Sequence, residues 1–155
     1  MGSAPECIIL IGLPGAGKTT FYRERFAATH AHISKDLRPN ASGRGARQQG
    51  AIEETLASKK SVVVDNTNPT KAERAAVIAT AREGGARVIG YFFDITTRAA
   101  VARNTNRTGK DKVPNVAIFA TAKRLQPPQK SEGFDELFRI EITPERSLKV
   151  TKMDQ

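Results

Sequence analysis

Cysteine is almost absent from this 155-residue chain: Cys7 stands alone, so no disulfide can form within it and a reducing, intracellular setting is expected. Its place inside an apolar run marks it as a small buried hydrophobe. Long apolar runs are lacking too. Cys7-Ile8-Ile9-Leu10-Ile11 is far too short for a membrane span or a signal peptide, and the residues 1–6 before it include no basic one. A soluble, cytoplasmic protein with no membrane partner is the expectation. With no internal repeat and no dividing linker, residues 1–155 read as one domain, its core over about 7–142 and a polar, mobile tail beyond Pro144. Aromatic residues make up 6% of the chain and do not interleave with the basic ones, so base stacking of the single-strand-binding type is not indicated. Acids are the scarcer charge, 16 against 25 lysines and arginines, for a formal net charge of +9. Such an excess favours a polyanionic partner, because each neutralised phosphate releases counterions.

What is present is organised around Gly12-Leu13-Pro14-Gly15-Ala16-Gly17-Lys18-Thr19, a complete G-x-x-x-x-G-K-[ST] run. The apolar stretch before it reads as a buried strand and the residues after Lys18 as a helix, which is the context a phosphate-binding loop requires. Glycines allow the backbone to wrap an anion closely, so that consecutive N–H groups and the helix N-terminus point at phosphate oxygens. Lys18 adds a cation, and the Thr19 hydroxyl is the candidate ligand for Mg2+. Gly12, Pro14, Gly15, Ala16, Gly17, Lys18, Thr19 and Thr20 are therefore the candidate ATP-binding residues.

Further along, strands are expected at 31–34, 62–65, 87–94 and 138–142, the last alternating as an edge strand would. Val62-Val63-Val64 lacks alternation, which suits a strand covered on both faces. Helices are expected at about 18–28, 48–58, 70–82 and 96–103, with a further one starting at Pro114. Thr70 and Glu73 form a capping-box pattern ahead of the third, and Thr96 or Thr97 caps the fourth. Five strands separated by helices make an α/β fold, a doubly wound parallel sheet with the phosphate loop after its first strand. Ligands in such sheets bind beyond the carboxyl ends of the strands, which gathers the phosphate loop, Asp36, residues 65–68 and Asp94. His30 and His32 read as surface or packing histidines.

Phosphoryl transfer needs a base for the acceptor hydroxyl, positive charge on the transferring group and a metal site. Asp36 is the candidate base, Arg103 and Arg107 the candidate charge clamps and Thr19 the metal ligand. Position alone leaves Asp36 open between that role and a turn-capping aspartate. Residues 98–130 hold eight basic side chains against the single acid Asp111, more than a nucleotide needs, which favours a long anionic acceptor.

Residues 12–20, Ser34-Lys35-Asp36, Asp65-Asn66-Thr67-Asn68-Pro69, Arg103-Asn104-x-x-Arg107 with Val113-Pro114, and Glu132-Gly133-Phe134 together resemble the P-loop kinase domain of polynucleotide 5′-hydroxyl kinases. The resemblance runs from about Cys7 to Ile142. It implies transfer of the ATP γ-phosphate to the 5′-OH end of DNA or RNA, with Asp36 in the place of the general base and Arg103 and Arg107 in a lid over the triphosphate. Arg38, Asp65, Asn66 and Asn68 are the candidate acceptor-binding residues. In some members an arginine three residues past the base holds the acceptor's neighbouring phosphate, whereas this chain has Pro39 there and Arg38 one residue early. A kinase acting on a modified base, a nucleoside or a small metabolite would carry nearly the same motifs, and an NTP-driven switch or ATPase module is the alternative of another class.

Overall fold

The structure, a computed structural model, describes residues 4–34, 44–106, 113–143, 145 and 147–154. Five parallel strands form most of one sheet: β1 (Glu6–Ile11), β2 (His30–Ile33), β3 (Ser61–Asp65), β4 (Arg87–Phe93) and β5 (Glu136–Ile142). A sixth, β6 (Leu148–Lys152), adds antiparallel to β5, giving the order β2-β3-β1-β4-β5-β6. Among the described residues the helices are α1 (Lys18–Arg25), α2 (Arg44–Ala57), α3 (Lys71–Glu83), α4 (Thr97–Thr105) and α5 (Asn115–Arg124), and a 3-10 turn spans Lys130–Glu132. The expected α/β architecture is present.

Burial follows the sequence pattern. β1 and β3 are interior strands enclosed on both faces, which is why they read as unbroken apolar runs. Cys7, Ile9, Ile11, Val62 and Val64 pack on one face against Ile52 and Leu56 of α2 and Val77, Ile78 and Ala81 of α3. Ile8, Leu10 and Val63 pack on the other against Phe21 and Tyr22 of α1. Burial pushes the Cys7 thiol up to about 12, so it stays an uncharged apolar side chain as expected.

Two expectations about the C-terminal part are corrected. The strand around 138–142 is not the edge but is flanked by β4 and β6, and part of the segment beyond Pro144 is strand. The cross-strand pairs Ile142 with Leu148 and Ile140 with Val150 account for this, since Leu148 joins the apolar layer beside α1. Elsewhere the expected caps form. Thr70 Oγ1 accepts from Glu73 N at 3.1 Å and Thr96 Oγ1 from Ala99 N at 3.1 Å. Only half of the box at Thr70 is seen, because the Glu73 carboxylate pairs with Arg124 of α5.

The order of strands decides where a ligand can bind. α1 leaves β1 over one face of the sheet and α3 leaves β3 over the other, so a crevice opens between the carboxyl ends of β1 and β3. The phosphate loop and residues 65–69 are its two walls.

Candidate active site

Residues 12–17 turn from β1 into α1, with Gly17 as the N-cap at φ 93°. A side chain would be strained at two of its glycines, both at positive φ. Gly15, at φ +83°, lies so near α4 that a Cβ would fall 2.7 Å from the Ala100 carbonyl, and a Cβ on Gly17 would fall 2.8 Å from a guanidinium nitrogen of Arg103. Lys18 begins α1 and is only 7% exposed; its ammonium donates to the carbonyls of Gly12 at 2.8 Å and Leu13 at 2.7 Å. The lysine thus curls over the loop it belongs to. Arg103 reaches the same loop from α4, its Nε donating to the Gly15 carbonyl at 2.9 Å. Two cations and the N-terminal end of α1 converge on one concave turn of backbone, an arrangement suited to a polyphosphate.

The opposite wall begins at the end of β3. Asp65 is 5% exposed, and its Oδ2 accepts from Thr19 Oγ1 at 2.8 Å and lies 2.8 Å from His32 Nε2. Because an ionised carboxylate only accepts, the histidine proton is assigned to Nε2. Thr19 and Asp65 supply the hard oxygen donors that Mg2+ takes, and among the described residues no cluster of three or more acidic, histidine or cysteine side chains could hold a metal. This sparse donor set fits a cation that keeps waters and phosphate oxygens as its remaining ligands. The hydroxyl of Tyr22 next to it is shifted upward by burial and by the charge of Asp65, so it remains a donor, to the His30 carbonyl at 2.8 Å.

Asn66 faces β2 and α2: its amide donates to Gln48 Oε1 and its Oδ1 accepts from Ser34 Oγ at 3.4 Å. Asn68, by contrast, is buried at φ 44° with its amide donating to the Leu10 carbonyl at 2.7 Å, while Gly12 N donates to the Thr67 carbonyl at 3.0 Å. These bonds stitch the two walls together, so Asn68 supports the crevice from within. Asp94, expected near the phosphates, instead pairs with Arg139 at 2.9 Å, and both side chains are 45% exposed. Asp36, Arg38 and Arg107 lie outside the described residues. Pro14 and Thr20 are at the surface of the loop and helix, whereas Ala16 is buried against the α1 face of the sheet.

Three contributors have tasks that the sequence did not reveal, although Asn104 itself stands in the Arg103-Asn104-x-x-Arg107 motif. Asn104 is fully buried and closes a bracket across the end of α4: its amide donates to the Val113 carbonyl at 2.6 Å and its Oδ1 accepts from Val113 N at 3.0 Å. This ties the end of α4 to Val113, ahead of α5. Arg74, also fully buried, makes a bidentate pair with Glu132 at 2.8 and 3.1 Å and donates to the Asn68 carbonyl at 2.9 Å. Glu132-Gly133-Phe134 therefore acts as a strut behind residues 65–69, with Phe134 in the core. His32 is the third, placed on Asp65 and not merely packed.

Comparison with known proteins agrees with this geometry. A family model described as AAA domain matches residues 7–128. The bifunctional polynucleotide phosphatase/kinase of Schizosaccharomyces pombe is 28% identical over 148 residues, covering 93% of this chain; the chain spans 35% of that relative's length. Among solved structures, a fungal RNA kinase aligns with a TM-score of 0.70 at 18% identity, over 90% of this chain and 38% of that one. A gluconokinase from Sinorhizobium meliloti 1021 aligns with a TM-score of 0.66 at 20% identity, over 92% and 85%. The fold is that of P-loop kinases, and the resemblance to polynucleotide kinases read from the motifs stands.

Proposed function

The chain belongs to the AAA domain family, and we propose that it is an ATP-dependent phosphotransferase that moves the γ-phosphate to a hydroxyl, that of a 5′-OH end of DNA or RNA. The observation that carries this reading is the convergence of Lys18 and Arg103 on residues 12–17 while Thr19 and Asp65 join oxygens beside them. In it, the loop N–H groups and Lys18 bind the β- and γ-phosphates, and Arg103 with Arg107 balances charge on the transferring group. Thr19 and Asp65 would hold Mg2+, which would neutralise phosphate charge. Asp36 accepts the proton of the attacking hydroxyl. Arg38 and Asn66 bind the acceptor in this reading, and Asp65 serves the metal side of the site.

A polynucleotide acceptor is supported by the named relative and by the basic residues between 98 and 130. No helix among the described residues is long and apolar enough to cross a membrane. The deciding experiment incubates the protein with γ-labelled ATP and oligonucleotides carrying 5′-OH or 5′-phosphate ends. Label on the 5′-OH ends alone is expected. Release of free phosphate regardless of oligonucleotide would replace the kinase with an ATPase, and label on gluconate or a nucleoside alone would move the acceptor to a small molecule.

A further inference from the structure

We infer that His32 is a positioning residue for the metal side of this site, holding Asp65 and, through it, the proton of Thr19, with Tyr22 as the plate that fixes the imidazole. This rests on the nucleotide-binding reading above and goes beyond it by giving a task to two side chains that the motifs do not mark.

The argument begins at Thr19. For its hydroxyl to offer lone pairs to a cation, its proton must point elsewhere, and Asp65 Oδ2 takes that proton at 2.8 Å. Asp65 can do so only while its carboxylate keeps one orientation. Left with the threonine bond alone, the carboxylate could turn about its terminal torsion, which is a broad, soft coordinate. His32 Nε2, 2.8 Å from the same oxygen, is the second fixed point. Both contacts fall on Oδ2, so the pair of donors defines the plane of the group.

The histidine is itself held. Its ring stacks on Tyr22 with centroids 4.3 Å apart and planes 22° apart, and it is a quarter exposed, so without the stack it would have room to swing. Tyr22 is anchored in turn by its hydroxyl, which donates to the His30 carbonyl on the same strand. The sequence spacing makes this economical. Thr19 and Tyr22 are three apart on one face of α1, and His30 and His32 are two apart on β2, so one helix face and one strand together supply the whole chain of contacts. Partners of this kind typically set metal affinity by about 10- to 100-fold without touching the ion.

The test measures divalent-cation binding directly. Mn2+ would be titrated into the protein with ADP and followed by electron paramagnetic resonance, beside ADP binding measured in EDTA. His32→Ala should weaken Mn2+ binding about 10- to 100-fold while ADP affinity in EDTA stays at the parent value. His32→Gln, whose amide can donate to Oδ2, should recover much of the loss, and Tyr22→Leu should show a smaller loss in the same direction. Mn2+ affinity in folded His32→Ala within twofold of the parent would overturn the inference and leave the kinase reading intact. Equal loss in the Ala and Gln variants would overturn it as well, by pointing to packing. A parent protein that binds neither ADP nor Mn2+ with ADP would overturn the nucleotide reading and this inference with it.

Discussion

The five residues 65–69 are gripped from two sides, and the two grips differ in kind. On the front, Asp65 meets Thr19 and a quarter-exposed His32, and Asn66 meets Gln48 and Ser34. On the back, Asn68 meets Arg74, whose side chain is wholly enclosed and whose Nε and both terminal nitrogens are engaged, two of the three by Glu132. Charged side chains serve both. In front they are arranged so that a cation or phosphate can join them; behind, an ion pair whose arginine is taken fully out of water is tolerable because each guanidinium nitrogen has found an acceptor. Charge in this fold marks function only where its partners can change.

The sharpest way to break that contrast is at the front. Lys18→Ala should lower transfer by about 10³-fold or more, because charge stabilisation is the main catalytic contribution in such a site, while the urea midpoint stays near the parent's. Single-turnover transfer and unfolding measured on one sample check both halves. Near-normal turnover would take the phosphate loop out of the mechanism.

Behind the loop the expected outcome reverses. Glu132→Ala leaves the enclosed Arg74 without its anion and should cost about 3–5 kcal/mol of stability, with turnover per folded molecule close to the parent's. Arg74→Met combined with Glu132→Leu should recover part of that loss, since an uncharged pair carries no desolvation penalty. Urea unfolding of both variants is the measurement; a Glu132→Ala protein as stable as the parent would mean that the strut holds nothing. Between these extremes lies Arg103→Ala. Arg103 touches the loop through Gly15 yet is an exposed residue, so transfer should fall about 10²-fold with little change in stability.

How much of this could be read from the residues depended on range. The phosphate loop, β1 and β3 were legible because their signals are local: fixed glycine spacing, and apolar runs without alternation. Thr70 and Thr96 were legible for the same reason. β6 was not, since the lysines of Leu148-Lys149-Val150-Thr151-Lys152 mask a two-residue alternation that has meaning only opposite Ile140 and Ile142. Arg74 and Glu132 lie 58 residues apart, and a lone arginine within α3 looks like any solvated helix residue. His32 and Asp65, 33 apart, pose the same difficulty, and Asn104 hides inside a stretch read for its arginines. The phosphate loop was legible from local spacing, whereas the tasks of the residues that support it depend on contacts between distant parts of the chain.

The smallest expected effect comes from a pair that repeats the Arg74–Glu132 link in the open. Arg82, farther along α3, pairs with Asp135 at 2.8 Å, but the two side chains are 44% and 33% exposed. The Asp135 carboxyl is held below its ordinary value first by the bond from Val88 N; burial, next in size, pushes it up, and Arg82 and Arg87 lower it further. A folded value below the unfolded one means that protons bind the unfolded chain more readily. This group's contribution is therefore complete above the ordinary aspartate value of about 3.9 and is lost as pH falls from there through the lowered folded value. Asp135→Asn keeps an acceptor for Val88 N and removes the charge, so at pH 7 it should cost less than about 1 kcal/mol, the range of exposed pairs. The difference in urea midpoint between parent and variant should shrink from pH 7 to pH 3. A loss as large as that of Glu132→Ala would erase the distinction between enclosed and exposed pairs on α3, and a difference that grew at pH 3 would reverse the sign assigned to Asp135.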